Sequence, residues 1–246
     1  MGARTVPTEH DPERPAAPVA AVIFDFDGVI VDSVRPDLLA CRALYREYGG
    51  GELSRSWWAE QVCGRPAGYD CLFERLLAVR SAAGAARPGH GQLRRRLGEL
   101  WEEYLTEEYV RLLPAVPETV EGLRSAGLPL GIASAADGAW VRRWLTRYGL
   151  SRHFTAVVTG DDVPARKPDP AVYREALGRL GVPAGACVAF EDSLSGVAAA
   201  RAAGVTVVAV PTPTTRFLDH SSAHAVLPDL SAVSPRWLAR AGRAGW

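Results

Sequence analysis

Five short, almost wholly apolar runs punctuate this chain, at residues 19–24, 128–133, 156–159, 187–190 and 205–210. A run without polar alternation turns no side to water, so each reads as a strand buried on both faces. Helix-like segments at 117–126, 138–148, 170–180 and 194–203 lie between the later runs. Each closes near a glycine (Gly127, Gly149, Gly181, Gly204), the residue that most readily makes the left-handed turn after a helix. Strand and helix in alternation predict an α/β fold: a Rossmann-like parallel sheet with helices on both faces. A shorter run at 225–227 offers a sixth strand.

The rhythm fails once. Residues 37–112 hold no convincing strand. Leu38, Cys41, Tyr45 and Tyr48 recur at helical spacing before Gly49-Gly50-Gly51, and amphipathic stretches follow at 69–79 and 93–113. This segment reads as an all-helical domain inserted after the first strand. Residues 19–36 and 113–246 then form the core domain and 1–18 a flexible tail; 246 residues suffice for that arrangement. The tail lacks the apolar stretch of a secretory signal, and no run approaches the ~18 residues that a membrane span needs. Formal net charge is zero with arginines scattered, which gives neither nucleic acid nor an anionic membrane a footing. Cys41, Cys63, Cys71 and Cys187 show no paired spacing and read as reduced, mostly buried thiols. These features predict a soluble cytoplasmic protein, monomer or homodimer, with a small-molecule partner.

Polar residues fall just beyond the carboxyl ends of four predicted strands: Asp25 and Asp27, Ser134, Lys167, and Glu191 with Asp192. Ligands of open parallel sheets bind outside those ends. Of 28 cationic residues 27 are arginine and one, Lys167, is lysine. A compact ammonium fits between two small anions where a planar guanidinium does not. Hard carboxylate oxygens without His or Cys suit Mg²⁺, which binds through few carboxylates plus a substrate phosphate. With a phosphoryl group so neutralised, a carboxylate can attack in line and form an aspartyl-phosphate. Lys167 would hold that carboxylate and the phosphate together. Ser134 and the backbone amides of Ala135 and Ala136, read as a helix start, would donate to phosphate oxygens.

Phe24-Asp25-Phe26-Asp27-Gly28-Val29-Ile30-Val31-Asp32-Ser33 resembles the first motif of the haloacid dehalogenase-like hydrolase superfamily. Ser134 after Gly131-Ile132-Ala133 resembles its second, Lys167 before Pro168 its third, and Glu191-Asp192-Ser193 with Gly196 its fourth. The helical insert is similar to the small cap of the branch that holds phosphoglycolate phosphatase and β-phosphoglucomutase. The resemblance implies a Mg²⁺-dependent phosphatase for a small phosphorylated metabolite, a sugar phosphate or similar compound. It makes Asp25 the nucleophile and Asp27 the general acid and then base. Metal would be held by the Asp25 side chain, the Asp27 backbone carbonyl and Asp192, with Glu191 close by. Gly28 permits the tight turn behind the nucleophile, while Asp32 and Ser33 shape the flap. In the cap, Arg65 is the candidate for contacting substrate.

Neighbouring chemistries separate by residue type. Dehalogenation needs neither Asp27 nor a metal set. Phosphonoacetaldehyde cleavage needs a cap lysine, and 37–112 contains none. A β-phosphoglucomutase-like phosphomutase is the alternative within the family, although Asp37 stands where that enzyme type carries a histidine. From other classes come a receiver-like signalling domain, whose acidic pair would come early in the chain, and a non-catalytic phosphate-binding protein.

Overall fold

The computed structural model describes residues 18–244, so the expected tail at 1–18 falls, but for its last residue, outside them. In chain order the elements begin with β1 (Ala21–Phe24), β2 (Val31–Asp32), α1 (Val34–Glu47), α2 (Arg55–Gln61), α3 (Gly68–Ala82), α4 (His90–Tyr104) and β3 (Arg111–Leu112). There follow α5 (Val116–Ser125), β4 (Leu130–Ala133), α6 (Gly138–Arg147), β5 (Ala156–Val158), α7 (Ala171–Leu180) and β6 (Cys187–Glu191). The last are α8 (Leu194–Ala202), β7 (Thr206–Ala209), β8 (Ala225–Val226) and α9 (Pro235–Ala244).

Six strands form one sheet in the order β5-β4-β1-β6-β7-β8, with every neighbouring pair parallel. The expected α/β fold is borne out, including the sixth strand. Alternation along β1 explains why the run had to be apolar throughout. Val22 and Phe24 pack with Val120, Leu123, Trp144 and Leu238 on one face, while Ala21 and Ile23 pack with Val172, Tyr173 and Val197 on the other. At about 25 cal/mol per Å² of apolar surface, burial on both faces is the main force holding the layers together. As a central strand, β1 delivers whatever follows it to the middle of the sheet's carboxyl edge.

Helices α1 to α4 gather around a separate apolar cluster that includes Leu38, Leu44, Tyr45, Trp58, Phe73, Leu76, Leu93 and Leu97. The amphipathic spacing seen in the sequence is the inward face of these helices. Three details differ from expectation. Helix α4 ends at Tyr104 instead of running to 113, because the chain turns at Thr106–Val110 to come back to the core. Arg111–Leu112 is a short strand, antiparallel to Val31–Asp32, so the segment 37–112 is not wholly helical. A two-residue ladder has no periodicity to read. It ties together the two chain crossings that lead into and out of the four-helix layer. The third is α2, capped by Ser54, whose side chain accepts from the Trp57 amide. Of the cysteines only Cys41 and Cys187 are buried; Cys63 is half-buried and Cys71 exposed.

Candidate active site

The sheet's carboxyl edge brings Asp25, Asp27, Ser134, Lys167 and Asp192 around one cleft of about 360 Å³. Asp25 is the first residue past β1, and its amide still extends the ladder to the Phe190 carbonyl at 2.9 Å. Ser134 leaves β4 in the same way, its amide donating to Val158 at 2.9 Å. Lys167 arrives on the loop between β5 and α7. The residue is 95% buried, and its ammonium donates to Asp25 Oδ1 at 2.7 Å and Glu191 Oε1 at 2.6 Å. The face of Tyr173 lies 5.1 Å from the same nitrogen, and the Tyr173 hydroxyl donates to Glu191 Oε1 at 2.5 Å. Glu191 is thus fully buried between an ammonium and a phenol, with Ser193 Oγ donating to its other oxygen at 3.3 Å.

Charge in this edge is unbalanced. Asp25, Glu191 and Asp192 each offer a ligand oxygen within 4.8 Å of the others, and one ammonium stands against them. Burial, then repulsion from Glu191, pushes the Asp25 carboxyl up to about 7 in spite of Lys167. Burial, then Asp25 and Glu191, pushes Asp192 well above the usual carboxylate range. Burial alone would discharge Lys167, but Asp25 and Glu191 outweigh it and hold the ammonium firmly protonated. Among the described residues the one hydrogen bond to the Asp192 side chain, from Thr215 Oγ1, is long at 3.4 Å. A buried carboxylate so poorly supplied with donors, beside two others, is a cluster fitted for a cation. Gly28 is needed beside it for two reasons. Its φ is +89°, and a Cβ there would run into the Asp192 carboxylate.

Among the described residues Asp27 accepts at a single oxygen, Oδ1, from Ser33 Oγ at 2.5 Å and from Trp140 Nε1 at 2.9 Å. Burial still holds its carboxyl above the ordinary range. Ser33 occupies the N-cap position of α1 but makes no capping bond with its side chain. The hydroxyl is turned to Asp27 instead, a closer involvement than shaping the flap. Asp32 pairs with Arg35 at 3.2 Å.

One expectation is corrected at the loop that begins with Ser134. Helix α6 begins at Gly138, and the Ala136 amide donates to Ser134 Oγ at 3.0 Å. Ser134, Ala135 and Ala136 therefore form a turn ahead of the helix, and the Ala136 N–H is already engaged. Arg166, which the sequence reading passed over, braces this turn by donating to the Ala135 carbonyl at 2.8 Å and pairing with Asp137 at 2.5 Å.

The far wall of the cleft is Val34, Val62, Cys63, Gly64, Arg65, Pro66 and Tyr69. Arg65 is exposed there and makes no ion pair among the described residues. The loop presses on the core: a Cβ on Gly64 would stand 3.1 Å from Ser195 Oγ and 3.2 Å from Ser193 Cβ. Asp37 takes hydrogen bonds from Tyr69 Oη and Trp101 Nε1, both at 2.8 Å. These bonds tie α1, α3 and α4 together behind the wall. Tyr173, Thr215 and Trp140 complete the site from positions with no motif of their own; for Tyr173 and Trp140 the signal available was a polar tip on the apolar face of a helix, while Thr215 lies in the turns between β7 and β8.

Fold and site define an enzyme that gathers carboxylates and one ammonium at the strand ends of a Rossmann-like sheet. The model of the haloacid dehalogenase-like hydrolases matches residues 22–210, and the chain belongs to that family. CbbY of Rhodobacter capsulatus is 34% identical over 222 residues, 87% of this chain and 95% of its own length. Hexitol phosphatase B of Escherichia coli K12 is 33% identical over 202 residues, 79% of this chain and 85% of its own. A HAD family hydrolase from Deinococcus radiodurans, solved with bound phosphate and sodium, has a TM-score of 0.68 at 27% identity, over 86% of this chain and 91% of that one. The expected enzyme class, a phosphoric monoester hydrolase, is borne out by relatives that carry phosphatase names. Among the described residues no helix is long and apolar enough to cross a membrane.

Proposed function

We propose that this chain is a Mg²⁺-dependent phosphatase that hydrolyses a small phosphomonoester, a sugar phosphate or similar metabolite, through an aspartyl-phosphate. The observation that carries the reading is the buried Lys167 ammonium shared between Asp25 and Glu191, beside a second carboxylate cluster partner in Asp192. Asp25 attacks phosphorus; its C–O–P bond forms as the P–O bond to the leaving group breaks. Asp27 gives its proton to the departing alkoxide, and then takes one from the water that hydrolyses the acyl phosphate. Lys167 holds Asp25 in place and offsets phosphate charge. Ser134 and the Ala135 amide receive the phosphoryl oxygens. The Asp25 side chain, the Asp27 carbonyl and Asp192 are the magnesium ligands, with Glu191 behind them; bound there, the metal supplies charge neutralisation at the phosphoryl group.

We assign 19–36 and 113–246 to the catalytic core and 37–112 to a cap that excludes bulk water during transfer. Arg65, on the cap wall and without an ion-pair partner among the described residues, is the group assigned to the substrate's polar end. The cytoplasm, where such metabolites reside, is the proposed location. Supporting the substrate class are the cleft of about 360 Å³ and relatives named for phosphorylated carbohydrates, phosphoglycolate and hexitols.

Phosphate release from a panel of phosphorylated metabolites tests this reading. Hydrolysis of one or more polyol or sugar phosphates is expected, abolished by chelation and restored by Mg²⁺. Conversion of β-glucose 1-phosphate to glucose 6-phosphate with a bisphosphate activator, in place of net hydrolysis, would establish the mutase instead.

Metal dependence has a second signature in stability. The raised folded-state affinity of Asp25 and Asp192 for protons favours the metal-free fold below the unfolded carboxylate pKa of ~4; the Asp25 contribution is lost as pH rises through about 7, and that of Asp192 is lost as pH rises through its own raised pKa. A divalent cation replaces those protons. Thermal melts should therefore show a larger rise in Tm on adding Mg²⁺ to chelated protein at pH 8 than at pH 5.5. An equal rise at both pH values would argue against the acidic cluster as the site.

A further inference from the structure

We propose that Trp140 is a positioning residue that fixes which oxygen of Asp27 exchanges protons with the leaving group and with water. The proposal rests on the reading of Asp27 as acid and base given above. Its basis is the sharing of one acceptor. Trp140 Nε1, at 2.9 Å, and Ser33 Oγ, at 2.5 Å, both donate to Asp27 Oδ1. An indole nitrogen is only ever a donor, so its bond cannot be reversed, and Oδ1 must accept in either protonation state. The proton that moves belongs to Oδ2. As the P–O bond breaks, its electron pair goes to the leaving oxygen, which takes the proton from Oδ2. In the second half-reaction water gives a proton back to Oδ2 as its oxygen attacks phosphorus and the acyl-phosphate electrons return to Asp25.

The indole is well placed to hold this orientation. Trp140 lies in the first turn of α6, the helix that follows the Ser134 turn. Its ring packs edge-on against Trp144 at 5.5 Å, and Trp144 stacks on Tyr148 at 5.9 Å. One helix thereby links the phosphate-facing turn to the acid–base carboxylate, across 113 residues of sequence. Ser33 lends the second donor from the start of α1 at the expense of the helix cap. Two donors from separate elements converge on Oδ1, and among the described residues no hydrogen bond engages Oδ2, which is left for chemistry.

Trp140→Phe keeps most of the ring and removes the N–H. The test uses the Mg²⁺-loaded enzyme with two probes of similar size: benzyl phosphate, whose alkoxide needs a proton, and p-nitrophenyl phosphate, whose phenolate does not. With benzyl phosphate kcat should fall on the order of tenfold to a hundredfold with KM little changed, a fraction of the 10²–10⁴ that acid–base catalysis supplies. With p-nitrophenyl phosphate, rapid mixing should show a burst of about one equivalent of nitrophenolate at nearly the wild-type rate, then slowed turnover. Ser33→Ala, which leaves the indole stack untouched, should show the same split. Burst and turnover slowed together would mean that Trp140 only supports the fold, and no change in either would remove its role. Asp27→Asn is the reference. If it keeps full turnover of benzyl phosphate, the acid–base reading itself fails. If it bursts without turning over while both donor variants resemble wild type, only the positioning role fails.

Discussion

Asp25→Asn should lower hydrolysis of p-nitrophenyl phosphate by about 10⁴-fold or more while the circular dichroism spectrum stays that of the parent. An amide oxygen is a poor nucleophile toward phosphorus, and no other carboxylate stands in its place at the end of β1. Stability makes the result specific. The Asp25 carboxyl, pushed up to about 7 by burial and by Glu191, carries a charge that the metal-free fold resists. A neutral isostere relieves that repulsion, at the loss of a charged partner for the Lys167 ammonium, which retains Glu191 at 2.6 Å. The metal-free variant is therefore expected to melt within a few degrees of the parent. Inactivity with an unchanged melt points to lost chemistry; turnover above about 1% of the parent would reject the aspartyl-phosphate route.

Site and fold were legible in the sequence to different depths, for physical reasons. Strands buried on both faces leave a nearly unbroken apolar signature, so β1, β4, β5, β6 and β7 could be read directly, and the polar residues that follow the β1, β4 and β6 runs mark the carboxyl edge. Asp25, Ser134 and Glu191 stand out because the apolar run ends where they begin. Lys167 stood out by composition. What stayed hidden depends on contacts between distant segments. The Asp27–Trp140 bond, the Glu191–Tyr173 bond and the Asp192–Thr215 bond join residues on separate elements, and no local spacing encodes them. Tyr173 and Trp140 look like ordinary members of apolar helix faces; only the polar tip differs. The β2–β3 ladder fixes two residues on each strand, too few for a pattern. Helix α4 could not be ended from sequence because Leu105, Val110, Leu112 and Leu113 prolong the apolar spacing after the helix has turned back towards the core.

Lys167→Arg should cost about 10²–10³-fold in kcat although the charge is kept. Lys167 is 95% buried, its ammonium with oxygens of two carboxylates at 2.7 and 2.6 Å and the Tyr173 ring at 5.1 Å. A guanidinium is wider than an ammonium, and its donors diverge in a plane. Entering this space it must push apart Asp25 and Glu191 or displace the ring, a misfit of the kind that costs about 1–3 kcal/mol in a packed interior. The displaced group is the nucleophile itself, so the loss should appear in kcat more than in KM. Lys167→Met gives the complementary result. It keeps an unbranched side chain one atom shorter but leaves Glu191 and Asp25 buried without their cation, a loss on the order of 3–5 kcal/mol when one partner of a buried pair is removed. Urea unfolding should therefore rank parent above Lys167→Arg above Lys167→Met, with both variants nearly inactive. If Lys167→Arg retained more than about a tenth of parental kcat, a point charge between two anions would not be what the site requires, and the single lysine would lose its catalytic meaning.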